Sequence, residues 1–129
     1  MMGGLLERIL YVEDDPDIRA VGTFALEGVG GFTVRACGSG AEAVAAAPAF
    51  RPQLVLLDVM MPEMDGPATL QALRGIEATA AVPAMFMTAK AQPNEIALYL
   101  EMGAIDVIRK PFDPMTLGAS LRTIWERVG

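Results

Sequence analysis

The sequence predicts a doubly wound α/β fold, in which helices cover both faces of a five-stranded parallel sheet with the order 2-1-3-4-5. Three observations predict this class. Short apolar runs alternate with longer stretches whose apolar residues recur at helical spacing. The strand candidates are mostly apolar throughout, as expected for strands buried on both faces. No repeat or linker interrupts the 129 residues, which therefore form one domain, with 1–7 as a short N-terminal extension.

Five short segments are predicted as strands because they are rich in apolar and β-branched residues and are bounded by acids or turn residues. They are RILYV (8–12), FTVRA (32–36), LVLL (54–57), VPAMFMT (82–88) and AIDVIRK (104–110). Pro83 is tolerable because it lies near the start of its strand.

Five helices are predicted between and after these strands. The first starts at Pro16 with Asp15 as its cap, and GVGG (28–31) ends it. The others are SGAEAVAAA (39–47), a helix opened by Gly66 and Pro67, NEIALYLEM (94–102) and DPMTLGASLRTIWERV (113–128). The last helix is expected to turn four residues toward the core, namely Leu117, Leu121, Ile124 and Val128.

Composition excludes several classes of function. A net charge of −6 makes nucleic acids and anionic membranes poor partners, so we expect no direct contact of this chain with either. Histidine is absent, which removes Ser-His and Cys-His catalysis and imidazole ligands. The single cysteine, Cys37, cannot form an internal disulfide, and no apolar run approaches the length of a membrane span. We therefore expect a soluble cytoplasmic protein with a buried, inert thiol.

The stretch LVLLDVMMPEMDG (54–66) places an acid, Asp58, directly after a buried strand. In the predicted order the first and third strands are neighbours, so Glu13 and Asp14 end at the same edge of the sheet. Like charges at short distance raise one another's pKa values unless a cation lies between them. Because carboxylate oxygens without thiol or imidazole suit Mg²⁺, we predict a magnesium site at this edge.

Two further polar residues end strands at this edge. Thr88 ends the fourth strand with a hydroxyl, and Lys110 ends the fifth with an ammonium. Taken singly, each is an ordinary polar group at a strand end. Together with Mg²⁺ they have the charges needed to neutralise a phosphoryl group. We therefore interpret Asp58 as a functional residue.

These residues resemble those of the receiver domain of two-component response regulators, the CheY-like superfamily with a flavodoxin-like (βα)5 fold. The resemblance covers Arg8 to about Val128 and rests on YVEDDPDIR, LLDVMMPEMDG, MTAKA and RKPF. It implies that 1–129 form a single receiver domain. Such a domain is a phosphoacceptor switch in signal transduction, or in a phosphorelay, rather than an enzyme that turns over a substrate.

The resemblance also assigns roles. Asp58 is similar to the phosphoryl acceptor, which also binds Mg²⁺. Asp14 resembles the direct metal ligand, Glu13 its outer partner acting through water, and the backbone carbonyl of Met60 a further ligand. The implied donor is a phosphohistidine of a sensor histidine kinase or of a histidine phosphotransfer protein, since this chain has no histidine.

On the last two strands, Thr88 resembles the switch hydroxyl that moves onto the phosphoryl group, and Lys110 the lysine that binds it. The resemblance implies a cis peptide bond between Lys110 and Pro111, whereas the sequence alone favours a trans turn proline.

The sequence departs from the family in two places. Val107 stands where receivers often carry an aromatic residue that rotates, so we expect the signal to pass through the following loop and the fourth helix. Met60 and Lys90, two residues past Asp58 and Thr88, resemble the positions that tune the lifetime of the phosphoryl group. Because a thioether cannot orient a water molecule as an amide does, we expect a long-lived acyl phosphate.

The predicted fourth helix is apolar on nearly all sides. This pattern indicates either extra packing on the sheet or a surface for a partner, and the two readings stay open. The second resembles the output and dimer face of the family, formed by the fourth helix, fifth strand and fifth helix (α4–β5–α5), and implies a possible homodimer.

Two other classes of protein share parts of this pattern. An aspartyl-nucleophile phosphatase of the haloacid-dehalogenase type also uses Asp, Mg²⁺, Thr and Lys. That class has a D-x-D motif on the strand that bears the nucleophile, whereas here Val59 and Met60 follow Asp58. A flavodoxin-like FMN binder needs a Ser/Thr-rich loop after the first strand, where EDDPD (13–17) would repel a phosphate.

Overall fold

The five strands form one parallel sheet. The structure is a computed structural model, and it describes residues 4–128. The strands are β1 (Arg8–Val12), β2 (Thr33–Cys37), β3 (Leu54–Asp58), β4 (Ala84–Thr88) and β5 (Asp106–Arg109). Their order is β2-β1-β3-β4-β5, which confirms the predicted order. Because Val12 pairs with Leu57, the carboxyl ends of β1 and β3 lie side by side.

Five α-helices connect or follow the strands. They are α1 (Pro16–Thr23), α2 (Gly40–Phe50), α3 (Gly66–Arg74), α4 (Pro93–Glu101) and α5 (Leu117–Val128). The Asp15 side chain caps α1 by accepting hydrogen bonds from two backbone N–H groups, and Ser39 and Asp65 each cap the following helix. Within residues 4–128, no helix has both the length and the apolar character needed to cross a membrane.

Three helices differ from the predicted bounds by more than one residue, whereas α4 is shifted by a single residue. Helix α1 continues as a π-helical segment, Phe24–Val29, before the glycine turn. Helix α2 runs through Pro48, which falls in its last turn and interrupts little of the hydrogen bonding. Helix α5 starts at Leu117 rather than at residue 113, because the Asp113 carbonyl accepts hydrogen bonds from two backbone N–H groups in a preceding turn.

The core lies on both faces of the sheet, as two hydrophobic clusters. One cluster holds the buried residues of α5, including Trp125, whose indole N–H donates to the Gly4 carbonyl at 3.1 Å. The expected core residue Val128 is exposed instead, because it lies at the end of the helix. The other cluster includes Cys37; burial raises the pKa of its thiol to about 11, so it stays protonated at neutral pH.

Helix α1 packs closely on the sheet at one glycine. Tyr11 on β1 is fully buried, and its hydroxyl lies 3.5 Å from the Ile18 carbonyl. A Cβ atom on Gly22 would lie 2.1 Å from that hydroxyl oxygen and 2.5 Å from the ring carbon that bears it. The missing side chain at position 22 therefore sets how near α1 approaches the strand that leads to the acids.

We predict that Gly22→Ala lowers the free energy of unfolding by about 1–3 kcal/mol, because the added methyl overpacks a buried site. Urea unfolding followed by circular dichroism measures the change. Gly75→Ala is the control: it ends α3 with an ordinary negative φ, and its Cβ would be 3.4 Å from the nearest atom. Equal stability of the two variants would contradict the proposed role of Gly22.

Candidate functional site

Three carboxylates meet at the carboxyl edge of the sheet. Glu13 and Asp14 directly follow β1, and Asp58 is the last residue of β3. Each offers an oxygen atom, and these oxygens lie within 4.8 Å of one another. Glu13 and Asp58 are almost completely buried, at 1% and 4% exposure, whereas Asp14 is half-buried. The acids that the sequence placed at this edge are thus brought together.

One ammonium group offsets part of this charge. Lys110 Nζ lies 2.7 Å from Glu13 Oε1 and 3.2 Å from Asp58 Oδ1. The backbone N–H of Lys110 donates to the Thr88 carbonyl, and the bond between Lys110 and Pro111 is cis. We call the cluster of Glu13, Asp14, Asp58 and Lys110 the metal corner. When its three acids are ionised and its lysine is protonated, this corner has two negative charges that are not neutralised.

Burial and the charge imbalance both raise the pKa of Asp58. Burial, and after it the charge of Glu13, raises the pKa of Asp58 from 3.8 to about 7, while Lys110 works in the opposite direction. Burial alone would lower the pKa of Lys110, but the hydrogen bond with Glu13 and the charges of both acids raise it. Without a further cation, Asp58 is therefore partly protonated at neutral pH.

The donor set fits a hard divalent cation. Carboxylate oxygens without sulfur or imidazole are the ligands that Mg²⁺ prefers, and the half-exposed Asp14 leaves a side open for the waters that this ion retains. The excess of negative charge would be relieved by such an ion. Glu13, Asp14 and Asp58 are the residues that would hold it, with the Met60 carbonyl as a predicted further ligand.

The loop after β3 folds back tightly over the acceptor candidate. The N–H of Gly66 donates to the Val59 carbonyl at 2.8 Å, and a Cβ atom at position 66 would lie 2.6 Å from the Asp58 carbonyl oxygen. Glycine at this position allows the loop to approach the strand so closely. The loop carries Met60, whose side chain is 60% exposed beside the site.

Thr88 lies at the same edge, at the end of β4. Its side chain is buried, and its hydroxyl accepts a hydrogen bond from the backbone N–H of Lys90 at 3.0 Å. The side chain of Lys90 is exposed. Thr88 and Lys110 both line a cavity that Asp58 also lines, so hydroxyl, ammonium and carboxylate share one space.

This cavity, of about 570 Å³, is a feature that the sequence analysis did not predict. Most of its wall is apolar and comes from four segments. These are α1 with Ile18 and Val21, the loop after β3 with Met60, the loop after β4 with Ala89, and the segment after β5 with Pro111 and Phe112. No sequence pattern indicates this cavity, because its wall is assembled from segments that are far apart along the chain.

Arg19 is a residue of this site that the sequence analysis did not single out. Its guanidinium contacts the backbone of the two acids that follow β1, donating to the carbonyl of Glu13 at 2.9 Å and to that of Asp14 at 3.4 Å. The motif EDDPDIR contains the signal, because it sets an arginine one helical turn after the capping acid.

Comparison with known proteins agrees with this geometry. A protein-family model described as "Response regulator receiver domain" matches residues 9–122. The chain is 40% identical over 121 residues to the DNA-binding response regulator MtrA of Mycolicibacterium smegmatis, covering 94% of this chain and 51% of that protein. It is equally similar to the transcriptional regulatory protein CseB of Streptomyces coelicolor, again 40% over 121 residues, covering 94% of this chain and 50% of CseB. The chain thus spans about half the length of these relatives.

Solved structures share the fold. The chemotaxis protein CheY4 of Vibrio cholerae superimposes with a TM-score of 0.84 at 28% identity, covering 92% of this chain and 98% of CheY4. The signal receiver domain of a signal transduction histidine kinase from Syntrophus aciditrophicus superimposes with a TM-score of 0.78 at 33% identity, covering 95% of this chain and 92% of that one.

The raised pKa of Asp58 predicts a pH dependence of stability in the absence of divalent cations. Between about pH 4 and 7 the folded chain retains a proton that the unfolded chain has lost, so rising pH destabilises the folded state through this window. The free energy of unfolding of Asp58→Asn, which cannot ionise at this position, should match that of the wild type near pH 4 and exceed it above pH 7 by on the order of 4 kcal/mol.

Urea unfolding in EDTA at several pH values measures this difference. Added Mg²⁺ should reduce it, because a bound cation stabilises the ionised form of the wild type. A constant difference between the two proteins from pH 4 to 8 would contradict the raised pKa.

Proposed function

The chain belongs to the response regulator receiver domain family of two-component systems, and from that premise we propose that Asp58 accepts a phosphoryl group from a phosphohistidine in a Mg²⁺-dependent reaction. The observation that supports this most directly is the contact of Lys110 with both Glu13 and Asp58 at the carboxyl edge of the sheet. A buried acid with a cation beside it and an open cavity in front of it has what a carboxylate nucleophile requires.

The chemistry proceeds from the ionised form of Asp58. One carboxylate oxygen attacks phosphorus, the phosphorus–nitrogen bond of the donor breaks, and the electron pair stays on the imidazole nitrogen, which takes up a proton. Lys110 neutralises charge on the transferring oxygens. Glu13, Asp14, Asp58 and the Met60 carbonyl would hold Mg²⁺, which would supply further neutralisation of this charge. The product is an aspartyl phosphate.

The phosphoryl group then changes the neighbourhood of Thr88. It carries about −1.5 to −2 of charge, by analogy with other phosphorylated side chains, and this replaces the single negative charge of the Asp58 carboxylate. The Thr88 hydroxyl, which now accepts from the Lys90 N–H, would instead donate to a phosphoryl oxygen. This exchange pulls on the loop between β4 and α4 and shifts the population of two conformations.

The relay from this loop is proposed to run through α4 rather than through an aromatic switch. Val107 is half-buried on β5 and pairs with Phe86 of β4. On α4, Tyr99 packs edge-on against Phe86, whereas Leu98 and Leu100 are exposed at 49% and 43%. The exposed leucines support the proposal that the α4–β5–α5 face serves output or a homodimer.

The partners follow from the chemistry of the donor. We propose a sensor histidine kinase or a histidine phosphotransfer protein in the cytoplasm, and a signalling switch rather than a turnover enzyme. The relatives' names include DNA binding and transcriptional regulation, but this chain covers about half of each. We expect its own acidic surface, with a net charge of −6, not to contact nucleic acid directly.

We predict that incubation with acetyl phosphate and Mg²⁺ adds one phosphoryl group to the wild type and none to Asp58→Asn. Intact-protein mass spectrometry measures the adduct. Asp17→Asn is the matched control, since Asp17 is an exposed acid that lines the same cavity, and it should be modified like the wild type. An equal adduct in Asp58→Asn would refute the assignment, and turnover of a phosphomonoester would favour the phosphatase alternative.

We also predict that Met60→Asn hydrolyses its aspartyl phosphate several-fold faster than the wild type, because an amide orients the attacking water and a thioether does not. The decay of the phosphorylated mass over time gives the rate. Met102→Asn is the control, because Met102 is an exposed methionine at the end of α4 that does not line this cavity. Unchanged decay in Met60→Asn would count against a tuning role for this position.

A further inference from the structure

We propose that Arg19 is a positioning residue for the magnesium site: it holds the backbone of the loop that carries Glu13 and Asp14, and so keeps these carboxylates at the metal corner. The inference rests on the proposed function, because it assumes that the acids bind Mg²⁺. It assigns a role to a residue whose own side chain does not reach the reacting atoms.

The first observation is the pair of contacts. Arg19 lies on α1, one turn after the loop, and its Nη1 donates to the carbonyl oxygens of Glu13 and Asp14 at 2.9 and 3.4 Å. Within residues 4–128, no other side chain donates to either carbonyl. One guanidinium therefore bridges the two consecutive peptides whose side chains enter the corner.

The second observation is the space reserved for this side chain. A Cβ atom on Gly38 would lie 2.9 Å from Arg19 Nη1, so the guanidinium occupies room that glycine leaves free after β2. The same strand end also holds the acid loop through the Glu13 N–H, which donates to the Cys37 carbonyl at 3.0 Å. Arg19 is thus seated between two loops at the carboxyl edge and is only partly exposed.

The need for such a tether comes from the charges. Three carboxylates with oxygens within 4.8 Å of one another repel in the metal-free protein, and the direct contacts of Lys110 are with Glu13 and Asp58. Asp14, on the loop, gains no such partner from Lys110. A guanidinium attached to the backbone behind the acids resists their displacement without neutralising the oxygens that face the ion.

A positioning role and a simple charge effect of Arg19 predict opposite changes in the affinity for Mg²⁺. By Coulomb's law alone, removing a cation near three acids strengthens their attraction for Mg²⁺. Loss of a tether instead weakens binding, because the ligands must be ordered when the ion binds. Outer contacts of metal ligands are typically worth 10–100-fold in affinity, so we expect Arg19→Met to bind Mg²⁺ about 10-fold or more weakly than the wild type.

Isothermal titration of the intact chain with MgCl₂ measures the affinity directly, without any readout of phosphorylation. Arg19→Lys keeps the charge and should recover part of the affinity. Arginine, lysine and methionine are all good helix formers, so α1 is preserved. The charge-matched control is Arg35→Met. The guanidinium of Arg35 contacts Glu42 and the Ala36 carbonyl, so its removal should leave the affinity for Mg²⁺ as in the wild type.

Thermal unfolding in EDTA tests whether each variant is folded. If Arg19→Met is unfolded, the affinity of Arg19→Lys for Mg²⁺ relative to the wild type decides whether Arg19 positions the acids. Wild-type binding together with equal or tighter binding in the Arg19 variants would overturn the positioning role and leave the proposed function intact. Failure of the wild type itself to bind Mg²⁺ would overturn the metal site and this inference together.

Discussion

The contact between one ammonium and two buried carboxylates determines most of what this edge of the sheet can do. Lys110 and Glu13 are 97 positions apart in sequence and 2.7 Å apart in space, and Asp58 lies 3.2 Å from the same nitrogen. Glu13 and Asp58 are removed from water, so their charges are poorly screened. The corner is therefore sensitive to any further charge, whether it arrives as a metal ion, a proton or a phosphoryl group.

A stiff scaffold is the condition for keeping like charges together. All residues of β3 and β4 are buried, and β1 lies between β2 and β3. Glycine at two positions removes the remaining obstacles: Gly22 lets α1 settle on Tyr11, and Gly66 lets the loop after β3 return across Asp58. The repulsion among the acids is thus offset by favourable packing elsewhere in the domain, as is common at functional sites.

The sequence was sufficient to predict the strands, their order and the meeting of the acids, because each of these depends on local pattern and on the chirality of parallel crossovers. The contacts of long side chains could not be predicted from the sequence. Nothing in the pattern indicates that the ammonium of Lys110 contacts Glu13 more closely than Asp58. The motif EDDPDIR places Arg19 one helical turn after the capping Asp15, but the spacing does not show that its guanidinium bonds the backbone of the loop before its own helix. The π-helical segment at Phe24–Val29 and the start of α5 at Leu117 also escaped, because helix ends depend on capping and tertiary contacts.

The position of the only tryptophan has a practical consequence. Trp125 is held by the Gly4 carbonyl, next to the amino end of β1, while the acids lie past its carboxyl end. Five strand residues, about 16 Å, separate the two ends. The tryptophan fluorescence of this chain consequently reports how Gly4 is seated on α5. It is a remote probe of events at the acids.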